Sequence, residues 1–253
     1  QSIWQREQPK VRQWRIGNNF KITTTMSFDD LQKTIGIEFK DQNLLKQAFA
    51  HRSYLNESRD VTISNERMEF LGDAVLSFLT SQYLYVNFPD FPEGTLTNIR
   101  SSLVKTRSLS DIAIELHLGT LLLLSHGEEE SGGRTNPSLL ADTFEALLGA
   151  IFLDRGIEIA RSFVEAHVFT KTHEIIEQKS YIDFKSYLQE IIQEESKISP
   201  TYRVTKSEGP DHAKTFWVTA VAEKVVLGAG SGRSKQEAEQ QAASNALEKM
   251  GKI

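Results

Sequence analysis

The sequence predicts a mainly α-helical domain followed by a small α+β module of α-β-β-β-α order. Two observations carry this expectation. From residue 27 to about 177, apolar residues recur at three- and four-residue spacing and valine-rich alternating runs are absent, as in packed helices. After Ser180 the period changes, and one amphipathic segment, three short alternating segments and an alanine-rich segment follow in turn. With 253 residues there is room for two domains of ordinary size. The expected division is an extension over 1–26, a helical domain over 27–177, a linker over 178–182 and the module over 183–253.

Composition narrows the function classes. At 39% hydrophobic and 25% charged the chain is globular in character. It has no cysteine, which excludes disulfides, iron–sulfur centres and thiolate nucleophiles, so a bound metal would have to sit on oxygen or imidazole. Apolar stretches such as residues 121–124 are far too short to cross a bilayer, and the expected location is the cytoplasm. The 29 basic and 34 acidic residues give a net charge of −5, which argues against a generic polyanion binder. The balance is uneven along the chain: residues 1–26 carry five basic and one acidic residue, 27–179 carry 14 and 23, and 180–253 carry 10 of each. A polyanion would have to be met by local patches.

The elements follow in order. The first methionine, Met26, directly precedes an acidic helix start at Ser27, Phe28, Asp29 and Asp30, which predicts that Met26 is the native start and that residues 1–25 are an added extension. The alternative, a nucleic-acid arm using Trp4, Trp14 and the basic residues, stays open. Leu31, Ile35, Leu44, Leu45, Ala48 and Phe49 begin the helical pattern. Breaks are expected over 87–94, with two prolines and a glycine, and over 125–137, read as a glycine-rich acidic loop. In the module, Phe184, Tyr187, Leu188, Ile191 and Ile192 mark an amphipathic helix. Strands are expected over 201–206, 215–222 and 224–227, and a last helix over 235–250.

The most informative segment runs from Asn65 to Leu76. At about 100° per residue, Glu66, Glu69 and Asp73 fall within roughly 60° of one another, with Met68, Leu71, Val75, Phe78 and Leu79 assigned to the opposite side. A second helix, capped by Asn136 with Pro137 at its first position, repeats the device. Asp142 and Glu145 lie on one side of it and Leu140, Phe144, Leu147 and Ile151 on the other, while Ala146 and Gly149 would permit close helix approach. Acidic stripes on two otherwise apolar helices repel themselves, and a hard divalent cation such as Mg²⁺ or Mn²⁺ would relieve that repulsion. Solvated helix faces carry such spacings too, and the residues alone leave both readings open.

In the module, three places stand out. Gln189 and Gln193 are four residues apart, opposite the apolar stripe. His212 lies in a turn between two strands. Arg233, Ser234 and Lys235 lead into the last helix, where Ser234 and Glu237 are spaced as a capping box. The glycine run over 228–232 does not have the spacing of a nucleotide-binding loop.

The string from Asn65 to Leu76 resembles the signature of the ribonuclease III family. Residues 50–54 (Ala-His-Arg-Ser-Tyr) before it, and the stretch from Gly132-Gly133-Arg134 through Asp142 and Glu145 to Leu153-Asp154 after it, resemble the same family in order. The C-terminal segment is similar to a double-stranded RNA-binding domain.

The resemblance implies a helical endonuclease domain acting as a homodimer on double-stranded RNA. It implies Mg²⁺, with Mn²⁺ able to substitute, and no organic cofactor or membrane. Products would carry 5′-phosphate and 3′-hydroxyl ends, with ribosomal RNA and other structured transcripts as substrates. By motif position, Glu69, Asp73, Asp142 and Glu145 would be the metal carboxylates, with Asp73 and Glu145 the residues whose loss stops chemistry. Glu66 and Glu93 would lie at or near the subunit interface. His51 would have a structural or RNA-side role. Gln189, Gln193, His212, Arg233, Ser234 and Lys235 would contact RNA. The sequence departs from the basic cluster usual in such modules at Gln236 and Glu239, which predicts weak binding by one module alone. The rival reading, a catalytically silent duplex-binding protein of the same fold, is disfavoured by the presence of all four carboxylates.

Overall fold

The computed structural model describes residues 26–210 and 213–253. The expectations for residues 1–25 and for His212 lie outside the described residues. Helix α1 (Phe28–Ile35) starts in a reciprocal cap: the Asp30 N–H donates to Ser27 Oγ at 3.2 Å and the Ser27 N–H to Asp30 Oδ2 at 3.2 Å. It ends at Gly36, whose φ of 67° is the left-handed conformation that favours glycine. Then come α2 (Gln42–Ala48), a 3₁₀ turn (Arg52–Asn56), the long α3 (Glu66–Asn87), α4 (Glu93–Val104) and α5 (Thr106–Glu115). A short α6 (His126–Glu130) precedes α7 (Pro137–Arg155), α8 (Ile157–His167) and α9 (Thr172–Glu177).

Helix α7 runs through the middle of this domain, packed against α3, α5, α2 and α8. Leu140, Phe144, Leu147 and Ile151 are buried as expected, and so are Ala141, Ala146, Leu148 and Ala150 on its other sides. A helix surrounded by others is apolar nearly all round, and between Leu139 and Leu153 the charged residues that interrupt it are Asp142 and Glu145. The Asn136 cap is present, its Oδ1 accepting the Ser138 N–H at 2.9 Å.

Three readings need correction. Phe78 is not on the buried side of α3 but 57% exposed, because it belongs to a second apolar stripe with Phe70 and Tyr85. Apolar periodicity locates a face and does not say what covers it. The stretch 125–137 is not a loop throughout, since it contains α6 and a 3₁₀ turn, Gly133–Thr135. The break over 87–94 is shorter than expected, because Glu93 already opens α4.

Two side chains stitch loops to this frame. The Asp154 carboxylate at the end of α7 accepts the Lys40 and Asp41 N–H groups at 2.8 and 3.0 Å, tying the loop before α2 to α7. Arg134 pairs with Glu129 and donates to the Gly119 and Leu122 carbonyls, which fastens the segment before α7.

A second core is built by α10 (Phe184–Ser196), an antiparallel sheet ordered β1 (Thr201–Glu208), β2 (Thr215–Ala222), β3 (Val225–Gly232), and α11 (Lys235–Lys249). Leu188, Ile191, Ile192, Val218 and Ala220 meet a row of alanines on α11, namely Ala238, Ala242, Ala243 and Ala246. The third strand is longer than the sequence suggested, since the glycine run belongs to it. An added Cβ would lie 2.4 Å from the Ala242 carbonyl oxygen at Gly228 and 2.3 Å from the Ala242 nitrogen at Gly230. Those glycines and the facing alanines let α11 lie directly on β3. Among the described residues, no helix is long and apolar enough to cross a membrane.

Candidate active site

The site forms where α3 crosses α7, and backbone contact sets the crossing. A Cβ at Gly72 would stand 1.8 Å from the Glu145 carbonyl oxygen, and one at Gly149 would stand 2.3 Å from that of Met68. Each helix thus presses a glycine against the other's main chain. Ala146, at 0% exposure, lies in the same seam. Gly149 and Ala146 were legible as small residues beside acids. Gly72 was missed, although a glycine inside a helical pattern is the available signal of such an approach.

This contact brings three acids together. Carboxylate oxygens of Glu69 from α3 and of Asp142 and Glu145 from α7 all lie within 4.8 Å of one another, and all three residues are half-buried. Asp73 is one helical turn beyond Glu69, exposed and outside that trio. It is still close enough for its charge to be the largest electrostatic influence on Glu145. Glu66 turns to the rim, where Ser64 Oγ donates to it at 2.9 Å and the Arg52 guanidinium stands 3.7 Å away. Glu93 is on another helix, exposed, and accepts from Thr97 Oγ1 at 2.9 Å.

The trio is under electrostatic strain. Burial first, then the charges of Asp73, Asp142 and Glu69, push the Glu145 carboxyl up to about 8 from an ordinary 4.5. Burial followed by Asp142, Glu66 and Asp73 raises Glu69. Burial raises Asp142 as well, against a lowering influence from His51. Crowded carboxylates without a cation respond this way, and a donor set of oxygens alone suits a hard divalent ion.

The same crowding makes stability pH-dependent. Between about 4.5 and about 8 the folded, metal-free chain holds a proton on Glu145 that the unfolded chain has released. The stabilising contribution of this group is therefore full below that window and is lost as pH rises through it. In EDTA, Tm should fall from about pH 5 to about pH 8.5, and Glu145→Gln should flatten the decline. Identical pH profiles for the two proteins would remove the assigned repulsion.

Comparison with known proteins decides the family. The profile described as Ribonuclease-III-like matches residues 41–172, and that described as Double-stranded RNA binding motif matches 184–250. Ribonuclease 3 of Enterococcus faecalis is 47% identical over 225 residues, 86% of this chain and 95% of that protein. The chain belongs to the ribonuclease III family. Ribonuclease 3 of Oceanobacillus iheyensis is 45% identical over 224 residues, covering 88% of this chain and 98% of its own. The crystal structure of the ribonuclease III nuclease domain from Campylobacter jejuni aligns at a TM-score of 0.53 and 39% identity, over 57% of this chain and 95% of that one. A second structure of that domain, described as showing flexibility in the region involved in its dimer formation, aligns at 0.54.

As a ribonuclease III family member the protein is an endoribonuclease acting on double-stranded RNA, and the structure shows how the residues expected to contact RNA are held. Gln189 and Gln193 border a surface depression with Ser186, Glu190 and Glu194, and Gln193 Nε2 donates to Ser199 Oγ at 2.8 Å. Ser234 caps α11 by accepting the Glu237 N–H at 3.1 Å. The Glu237 carboxylate does not close the box on Ser234 but accepts the Arg233 N–H at 2.8 Å. Lys235 is exposed at the start of α11. Glu239, where the sequence departs from the basic cluster expected of such modules, pairs with Lys185 of α10. That lysine also lies over the Tyr202 ring, 5.0 Å from its centroid.

Proposed function

We propose that the protein cleaves double-stranded RNA by Mg²⁺-dependent phosphodiester hydrolysis, as a homodimer, leaving 5′-phosphate and 3′-hydroxyl ends. The observation that carries this reading is the trio of half-buried carboxylates within 4.8 Å at the α3–α7 crossing. Glu69, Asp142 and Glu145 would hold the cation, with Asp73 reaching in from the rim. Oxygens on opposite sides of one Mg²⁺ lie about 4 Å apart, so small side-chain adjustments suffice. A bound Mg²⁺ supplies Lewis-acid neutralisation of charge on the scissile phosphate and eases deprotonation of water. Asp73 and Glu145 are the residues whose loss would stop chemistry.

The chain's own groups divide the remaining work. The carboxylates hold negative charge where RNA brings more of it, so productive docking depends on their being neutralised first. Gln189 and Gln193 present amides suited to the 2′-hydroxyls of a shallow minor groove, while Arg233, Ser234 and Lys235 offer phosphate contacts. With 10 basic and 10 acidic residues over 180–253, the module contributes few counterion-releasing contacts. Two modules on one duplex would compensate. Dimerisation is supported by the exposed apolar stripe on α3, where Phe70 is 79% and Tyr85 75% exposed, an arrangement suited to covering by a second copy. Glu66 and Glu93 would lie at or near that interface. Ribosomal RNA and other structured transcripts in the cytoplasm are the proposed substrates.

The test incubates the chain with labelled duplex or single-stranded RNA, with and without Mg²⁺, and maps product ends. Duplex-specific, Mg²⁺-dependent cutting with 5′-phosphate ends is expected. Cleavage unaffected by EDTA, or equal cutting of single strands, would refute the reading.

A further inference from the structure

The sheet of the C-terminal module has two faces, and the helices cover one of them. Along β2, Phe216, Val218 and Ala220 point into the second core, with Tyr202 of β1 and Leu227 of β3 beside them. Trp217 and Thr219, which alternate with those residues, therefore point away from both helices. Their cross-strand partners share that outer face: Lys206 and Ser231 for Trp217, Arg203 and Ala229 for Thr219.

Lys206 reaches this face through an irregularity. Val204 pairs with Val218 on the inner side, and plain alternation from there would turn residue 206 inward again. The register shifts between Val204 and Lys206, which makes Thr205 the extra residue, and Thr205 Oγ1 donates to the Trp217 carbonyl at 3.2 Å. A bulge of this kind re-aims the side chain that follows it. Lys206 Nζ accordingly lies 5.0 Å from the centroid of the Trp217 ring and pairs with Glu208 Oε1 at 2.6 Å. Arg203 is exposed and has no ion pair among the described residues.

We infer that this outer face is a stacking platform for an unpaired RNA strand flanking the duplex, with a base laid against Trp217 and the adjoining phosphates met by Arg203 and Lys206. The chemistry selects that occupant. A docking site for a protein calls for a contiguous apolar patch, whereas the neighbours of Trp217 here are charged, hydroxylated or small. A single partly exposed ring between two cations suits a base joined to phosphates. Base stacking on an indole outweighs an exposed ammonium over it, so Lys206 yields the ring to the base and takes a phosphate. The proposed duplex contacts Gln189, Gln193, Arg233, Ser234 and Lys235 lie on α10 and at the start of α11, so on that reading the sheet stays open while a duplex is held.

The test uses the full-length chain in EDTA and reads binding by fluorescence anisotropy with three labelled RNAs. One is a blunt duplex, one the same duplex with a single-stranded tail of about six adenosines, and one carries an abasic tail of that length. Wild type is compared with Trp217→Thr, Trp217→Phe and Arg203→Gln, and Tm is measured alongside.

Wild type should bind the adenosine-tailed duplex about tenfold more tightly than the blunt one, with little of that gain from the abasic tail. Trp217→Thr should lose the gain, Trp217→Phe keep most of it and Arg203→Gln lose part of it, all with unchanged affinity for the blunt duplex. Equal affinity of wild type for blunt and tailed duplexes would overturn the platform. So would an abasic tail that gives the whole gain, or a Trp217→Thr protein that retains it. A wild type that fails to hold the blunt duplex would instead sink the duplex reading on which the platform rests.

Discussion

Replacing Glu145 with glutamine should reduce single-turnover cleavage of duplex RNA at least about 1,000-fold, equivalent to ~4 kcal/mol of barrier, while duplex affinity stays within about twofold of wild type. Glutamine keeps the shape of the side chain and removes a charge at the most crowded point of the site. Burial, with the charges of Asp73, Asp142 and Glu69, pushes Glu145 up to about 8, so it is the carboxylate that most needs a cation and whose loss most reduces the reason for one to bind. The proposed RNA contacts Gln189, Gln193, Arg233, Ser234 and Lys235 lie on the surface of the C-terminal module and are untouched. Gel-shift titration in EDTA and quenched-flow cleavage in Mg²⁺ measure the two quantities. A variant that cuts within tenfold of wild type would displace Glu145 from the chemistry.

The second large effect is expected from a single methyl group. Gly72→Ala should lower stability by about 3 kcal/mol, a drop in Tm of about 10 °C. The added carbon would sit 1.8 Å from the Glu145 carbonyl oxygen, and main chain cannot rotate aside as a side chain can. Alanine's better helix propensity returns only about 1 kcal/mol. Molecules that remain folded should have the helices forced apart, with Glu69 withdrawn from Asp142 and Glu145 and cleavage lost. Gly94→Ala is the control, since a Cβ there meets nothing within 4 Å. Scanning calorimetry of both variants decides it, and equal Tm values would show that α3 and α7 can yield.

Much of this architecture was legible because it rests on short-range regularities. The cap at Asn136, the buried stripe of Leu140, Phe144, Leu147 and Ile151, and the alanine row of α11 each follow from spacing along one helix. The acidic stripes were visible for the same reason. What spacing could not supply was the partner. Phe78 was assigned to the core because apolar periodicity is blind to whether a face is covered. The glycines over 228–232 fell outside the expected third strand, since nothing local tells that α11 will lie on them. Asp154 and Arg134 act on backbone N–H and carbonyl groups, which every residue carries and no pattern marks. Within the site, Glu69 and Asp73 looked equivalent on the helical wheel. One helical turn separates them along the axis, and that rise leaves one in the trio and the other at its rim.

The glycine contacts between α3 and α7 also bear on how freely the protein can change. Main chain abutting main chain sets the distance between the acids, so the aliphatic residues around the seam have no say in it. Swaps among Leu, Ile, Val and Met at positions such as 76, 79, 148 and 151 could accumulate, trading melting temperature up or down, while the catalytic spacing passes intact from one version to the next.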